Sequence, residues 1–317
     1  VLIMGHKRPD ADSFGAAVGV YRLVKTLGRT AHIVVNEATS AIKPIMNGFK
    51  GNSVYGDDMI FTGEEAINSV DSNTMVVVVD VNRPSMTECE ELLSLVGSVV
   101  VFDHHRQTNE IIENATLSYI EPYASSACEM VAEMLQYIDD KVKLRPLEAD
   151  AMYAGIVIDT DNFVTKTGVR TFEAASYLRR SGADVVRVRK MFRSDMNSYK
   201  QLAEGVINSE VFLNSFAISQ VQPEDGDDAP TVLAAKVAND LLNVEGIRAS
   251  FVVTEKDGTA YISARSVDDV NVQVIMEKLG GGGHANIAGA QLKNSNNELA
   301  IIEIKTLLRT MYDEGDI

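Results

Sequence analysis

The sequence predicts an α/β protein in two parts: an N-terminal domain built on a parallel sheet, and a smaller C-terminal α/β domain. Three observations carry this. Short apolar runs alternate with stretches of helical spacing from residue 1 to about 103. Two of the runs, "TMVVVVDV" and "GSVVVFD", are continuous and valine-rich, which suits strands covered on both faces. Beyond about residue 205 the pattern changes to paired strands separated by turn residues.

Taken in order, "VLIMG" (1–5) reads as a strand and "DSFGAAVGVYRLVKTLG" (12–28) as a helix, with Ser13 in its cap region and Gly28 as its stop. "AHIVVN" (31–36) is the next strand and completes a βαβ opening. Strands at 74–81 and 97–103 flank a helical "MTECEELLSLV" (86–96), and helices dominate from Ser125 to Leu202. The stretch "DVVRVRKMFRSDMNSYKQLAEG" (184–205) reads as a linker helix between domains at 1–183 and 206–317. In the second domain "EVFLNSFAISQV" (210–221) predicts a hairpin, "QPEDGDDAP" (222–230) an acidic loop, and "TVLAAKVANDLLNVEG" (231–246) an amphipathic helix. Residues 247–266 predict two strands joined at Lys256, Asp257 and Gly258.

With 317 residues and 45% hydrophobic content, the chain can bury two cores. Its 29 basic and 45 acidic residues leave a net charge of −16, which repels a phosphate backbone and argues against a stable long nucleic-acid partner. Cys89 and Cys128 stand apart without metal-ligand spacing, as suits a reducing compartment. No apolar stretch approaches the ~18 residues of a membrane span, and the start lacks signal-peptide features, so the chain as given reads as soluble. Val1 already falls inside a strand pattern, as in a fragment.

Chemistry in an open parallel sheet gathers beyond the carboxyl ends of its strands. Here those ends carry His6, Asp10 and Asp12, then Asp80, then Asp103, His104 and His105, while Asp159 interrupts an apolar helical stretch. Singly, each has an ordinary explanation: Asp12 caps the next helix, Asp80 begins a turn, Asp159 ends a helix. Jointly, even two of these imidazoles and four of these carboxylates on one rim repel one another unless cations neutralise them. Oxygen and imidazole donors suit manganese, iron or magnesium. Six ligands exceed the need of one catalytic ion, so a pair about 3.5–4 Å apart is expected, bridged by Asp80, presenting hydroxide to a phosphoryl group.

The motifs "HKRPDADS", "VVVVDVN" and "FDHHR" resemble those of the DHH phosphoesterase superfamily, and "GGGGHANIAGAQL" (280–292) resembles its DHH-associated C-terminal domain. "EPYASSACEM" (121–130), "YISARS" (261–266) and "NVQVIMEKLGGGGH" (271–284) resemble the catalytic portion of bacterial cyclic-di-AMP phosphodiesterases. The resemblance implies one metal on His6, Asp10 and Asp80 and a second on Asp12, Asp80, His104 and Asp159. Both would be manganese, with magnesium, cobalt or iron as substitutes. It further implies that His105 faces the scissile phosphate, that Asp103 orients an imidazole, and that the active site lies in the cleft between the domains.

In the C-terminal motif, Gly280, Gly281, Gly282 and Gly283 let backbone N–H groups approach a phosphate or base edge. Arg265 is either a surface strand residue or a partner for a second phosphate, and His284 is either a helix-start residue or a base contact. The implied reaction is hydrolysis of cyclic-di-AMP to linear pApA by a metal-bound hydroxide. The alternatives are a nano-RNase or 3′-phosphoadenosine 5′-phosphate phosphatase, and a catalytically silent nucleotide sensor. The implied partner is a cyclic dinucleotide or short linear nucleotide, with a homodimer left open. The implied place is the cytoplasmic portion of a membrane-anchored protein.

Overall fold

The first apolar run forms β1 (Leu2–Met4), which lies mid-sheet in a computed structural model describing residues 1–138, 141–193, 195–222, 230–267 and 269–317. These residues divide into two units, 1–193 and 194–317. In the first, β2 (His32–Val34), β3 (Ile60–Phe61), β4 (Met75–Val79), β5 (Ser98–Asp103) and β6 (Ala115–Ile120) join β1 in the order β3-β2-β1-β4-β5-β6, every pair parallel. Both faces are covered, as the valine runs require: Ile3, Val77 and Val79 enter one apolar cluster, and Leu2, Met4, Val76 and Val78 enter the other.

The first face is packed by α1 (Ala11–Thr26), the single-turn α2 (Lys43–Met46) and later helices; the second by α3 (Gly63–Asn68) and α4 (Leu92–Leu95). The later helices are α5 (Ala127–Ile138), α6 (Pro146–Asp159), α7 (Val169–Arg180) and α8 (Val185–Met191). The expected cap of α1 shifts: Asp10, not Ser13, accepts the Asp12 and Ser13 N–H groups, both at 3.0 Å. The helix expected over 86–96 shrinks to α4 after a 3-10 turn at Pro84–Met86. Tertiary hydrogen bonds override its periodicity, because Glu88 N–H donates to Gly5 O at 2.8 Å and its carboxylate accepts Asn36 N–H at 2.7 Å.

Residues 184–205 hold parts of two helices, α8 and α9 (Met196–Ile207), capped by Asp184 and Asp195 respectively. The second unit contains the expected hairpin of β7 (Glu210–Phe212) and β8 (Phe216–Val221), then α10 (Pro230–Leu241) and the paired β9 (Ala249–Lys256) and β10 (Thr259–Ser266). It closes with α11 (Val272–Lys278), β11 (Gly282–His284), β12 (Ile287–Lys293) and α12 (Asn297–Glu314). Its mixed sheet runs β11-β12-β10-β9-β8-β7, parallel between β8 and β9. The acidic loop expected at 222–230 lies, between its ends, outside the described residues.

Two glycines set how closely α6 approaches α1. A Cβ on Gly15 would stand 2.6 Å from Ala151 O, and one on Gly155 would stand 2.5 Å from Cys128 Sγ and 2.8 Å from Asp12 Cα. All are well inside carbon van der Waals contact. Gly155→Ala gains about 0.5–1 kcal/mol of helix propensity but meets an overpacking cost of about 1–3 kcal/mol. Thermal unfolding should therefore give a lower melting temperature for Gly155→Ala; an equal or higher one would contradict this packing.

Candidate metal centre

The strand order reverses between β1 and β4, so the loop that follows β1 meets the residue that follows β4. His6 leaves β1 with Nδ1 2.9 Å from Lys7 O, which draws the ring proton to that nitrogen and leaves the Nε2 lone pair pointing inward. Nε2 stands 3.5 Å from Asp10 Oδ2 and 3.4 Å from Asp80 Oδ2. Asp10 spends its other oxygen on capping α1. Asp80 is 3% exposed and holds a left-handed backbone, φ +61°, a conformation an L-residue keeps only where its surroundings enforce it.

The second Asp80 oxygen, Oδ1, faces His104 Nε2 at 3.3 Å. His104 repeats the tautomer logic, with Nδ1 3.3 Å from Ala124 O and Nε2 turned inward. That Nε2 also lies 3.5 Å from Asp159 Oδ2 and 3.8 Å from Asp12 Oδ2. Asp159 is the last residue of α6, and Asp12 is held by the N–H groups of Ala127 and Cys128 at 2.6 and 2.8 Å. Three donor groups result: His6–Asp10–Asp80, Asp12–His104–Asp159 and Asp80–His104–His105.

The electrostatics fit divalent cations. Elsewhere on α6 the buried carboxylates of Glu148 and Asp150 are paired with Arg22 and Arg187. Among the described residues, Asp12 and Asp80 have no lysine or arginine partner, and Asp80 Oδ1 and His104 Nε2 are buried without a hydrogen bond. Burial and then the neighbouring carboxylates push Asp12 well above the usual range and Asp159 up to about 6. Burial opposes protonation of both histidines, but the facing carboxylates of Asp10 and Asp80 carry His6 up to about 11, and those of Asp80, Asp12 and Asp159 carry His104 up to about 9. A cation at each group would take over the role of those protons.

His105 is turned outward, 59% exposed in its side chain, with Nδ1 2.8 Å from Asp103 Oδ1 and 3.6 Å from Asp80 Oδ1. Asp103 thus orients His105 rather than His104. A residue missed by sequence reasoning completes this arrangement: the Asn82 amide donates to Asp103 Oδ2 and, at 3.1 Å, to His105 O. Its signal was a polar residue two places beyond Asp80. A cavity of about 370 Å³ is lined by His6, Asp10, Asp80, Asn82, Arg83, Asp103 and His105.

In the second unit, Arg265 donates from Nε to Asn239 Oδ1 at 3.0 Å, and burial lowers its pKa. It lines a groove of about 630 Å³ together with Gly280, Gly281, Tyr261 and Lys293; Gly282, Gly283 and His284 do not line that groove. Part of the glycine run serves strand pairing: a Cβ on Gly281 would stand 2.1 Å from Gly289 O, and one on Gly283 would stand 2.5 Å from Ile287 O.

Residues 1–156 match the DHH family, N-terminal domain, and residues 213–310 match the DHHA1 domain. The chain is 41% identical to the cyclic-di-AMP phosphodiesterase GdpP of Geobacillus thermodenitrificans, over 99% of this chain and 48% of that protein. It is 40% identical to the cyclic-di-AMP phosphodiesterase PdeA of Listeria monocytogenes, over 93% of this chain and 45% of that protein. The chain therefore spans about half the length of these relatives. The crystal structure of an exopolyphosphatase-related protein from Bacteroides fragilis superposes with a TM-score of 0.79 at 18% identity, covering 98% of this chain and 92% of that one. No helix among the described residues is long and apolar enough to cross a membrane.

Because Asp80 belongs to two of the donor groups, its neutralisation should uncouple the centre from divalent cations. Manganese chloride at about a hundred times its dissociation constant adds about 2.7 kcal/mol to the stability of a chain that binds it only when folded. Asp80→Asn should lose most of the corresponding rise in melting temperature; a rise equal to that of the unsubstituted chain would remove Asp80 from the centre.

Proposed function

Since the chain belongs to the DHH family, we propose that it is a two-manganese phosphodiesterase that opens cyclic-di-AMP to linear pApA. The observation that carries hydrolysis is the pair of donor groups joined through the two oxygens of Asp80, with an exposed histidine beside them. The choice of cyclic-di-AMP is supported by the two relatives of that activity, whose likeness runs through nearly all of this chain. Oxygen and imidazole donors without thiolate suit manganese, iron or magnesium, and manganese is the one the family resemblance implies. His6, Asp10 and Asp80 would hold one ion; Asp12, Asp80, His104 and Asp159 would hold the other.

Bound in pairs, such cations neutralise a phosphodiester and acidify the attacking water. The remaining work belongs to side chains. Asp103 accepts a hydrogen bond from the Nδ1–H of His105, so Nε2 is the nitrogen available to the reacting phosphodiester. Water adds to phosphorus and the bond to the ribose 3′ oxygen breaks; the proton that the water sheds passes through His105 Nε2 to the leaving 3′ oxygen, and the same nitrogen, while protonated, donates a hydrogen bond to the phosphate. Asn82 fixes Asp103 and the His105 backbone during that exchange. In the second unit, the groove beside Arg265 and Gly280 is proposed to bind a nucleotide phosphate.

Incubation with cyclic-di-AMP, linear pApA and 3′-phosphoadenosine 5′-phosphate, each with manganese or with chelator, tests this by product identity. The expected product is pApA from the cyclic substrate, lost with chelator. Turnover confined to the linear compounds would favour a nano-RNase or phosphatase, and no chelator-sensitive turnover of any would leave a binding module. His105→Ala should retain the metal content of the unsubstituted chain while lowering kcat about 10²–10⁴-fold. Metal loss in that variant would instead make His105 a ligand.

A further inference from the structure

The segment "EPYASSACEM", residues 121–130, has no part in the chemistry above, yet its backbone touches two of the donors. Ala124 O faces His104 Nδ1 at 3.3 Å, and the N–H groups of Ala127 and Cys128 hold the two oxygens of Asp12 at 2.6 and 2.8 Å. All three contacts come from main chain. Apart from the Cys128 thiol, which donates to Asp12 O at 3.3 Å, side chains in the segment matter to the donors through whatever fixes that main chain.

Glu129 does the fixing. Its Oε2 accepts from Ser125 Oγ at 2.5 Å, Ser125 N–H at 3.3 Å and, from α7, Thr171 Oγ1 at 2.6 Å. Its own N–H donates to Ser126 Oγ at 3.0 Å. A serine three residues before a glutamate is ordinarily a capping box, which works as well in water. The Thr62–Glu65 box on α3 shows this, since its glutamate is exposed. Glu129 is 2% exposed instead, and burying a carboxylate costs free energy that a surface cap would not incur. Its nearest arginine, Arg170, stands 4.0 Å away, so the hydroxyls of Ser125 and Thr171 carry most of the compensation.

We infer that Glu129 is a positioning residue for the Asp12–His104–Asp159 group: it locks the 124–128 turn whose carbonyl and N–H groups aim His104 and Asp12 at their cation. This rests on the two-cation reading above. It assigns to a residue that touches no donor the affinity of one site and not of the other, because the hydrogen bonds and charge contacts of His6 and Asp10 go to Lys7, Asp80, Asp12 and Ser13 and not to the turn.

Calorimetric titration of manganese chloride into the chelator-stripped chain tests it, with electron paramagnetic resonance to detect coupled manganese pairs. The unsubstituted chain should take up two ions. Glu129→Ala should keep one at an affinity within about twofold and bind the other about 10- to 100-fold more weakly, the range for losing an outer partner of a ligand. The coupled-pair signal should fall at matched manganese. Glu129→Gln, which retains one acceptor oxygen, should fall between the two. Should Glu129→Ala not fold, Ser125→Ala removes one hydroxyl and should shift the same single site by a smaller factor. Folded variants with both affinities unchanged, or both weakened alike, would overturn the positioning role alone. An unsubstituted chain that takes up fewer than two ions would overturn the two-cation reading, and this role with it.

Discussion

Asp80 is the constraint on which the N-terminal unit turns. A buried carboxylate with no lysine or arginine beside it among the described residues, held at positive φ, needs positive charge against its two oxygens. His6 and His104 face those oxygens, and each is aimed by a backbone carbonyl behind it. Everything that brings β1, β4 and β5 into adjacency therefore serves one atom pair. The valine runs do so by burying both faces of the sheet, and the reversal of strand order does so by opening the crevice where the loops meet.

The same centre explains features that packing alone would not favour. Gly15 and Gly155 forgo side chains inside helices so that α6 can lie against α1, which delivers Asp159 to a group whose other members leave β5 and the start of α1. The start of α5 lends two N–H groups to Asp12 across more than a hundred residues of sequence. Glu129, Ser125 and Thr171 then join α5 to α7 behind that contact. On the proposed reading, a negatively charged protein would bind an anionic nucleotide because the charge that matters is the local one, set by the cations such a cluster would draw in.

Much of the α/β pattern was legible from residues. The alternation, the valine strands and the turn at Lys256, Asp257 and Gly258 are local signals, and the strands they predicted are present. Local signals failed where distant groups compete for the same backbone. The periodicity of 86–96 yields to the bond from Glu88 N–H to Gly5 O, and β6 went unread because its edge strand alternates apolar with hydroxyl side chains. The cap of α1 moved from Ser13 to Asp10 because Asp10 can cap with one oxygen while the other faces His6.

For the centre, residue type and placement at strand ends were enough to single out candidates there, since carboxylates and imidazoles clustered at strand ends have few other uses; their division between two ions, with Asp159 from a helix end, came with the family resemblance. Which oxygen faces which nitrogen, which ring nitrogen carries the proton, and which histidine Asp103 serves depend on distances between segments far apart in the chain. Those distances are set by packing, as the roles of Asn82 and Glu129 show: each is an ordinary polar residue in sequence, and acquires its function from hydrogen bonds that exist only once the loops after β4 and β5 and the start of α5 stand together.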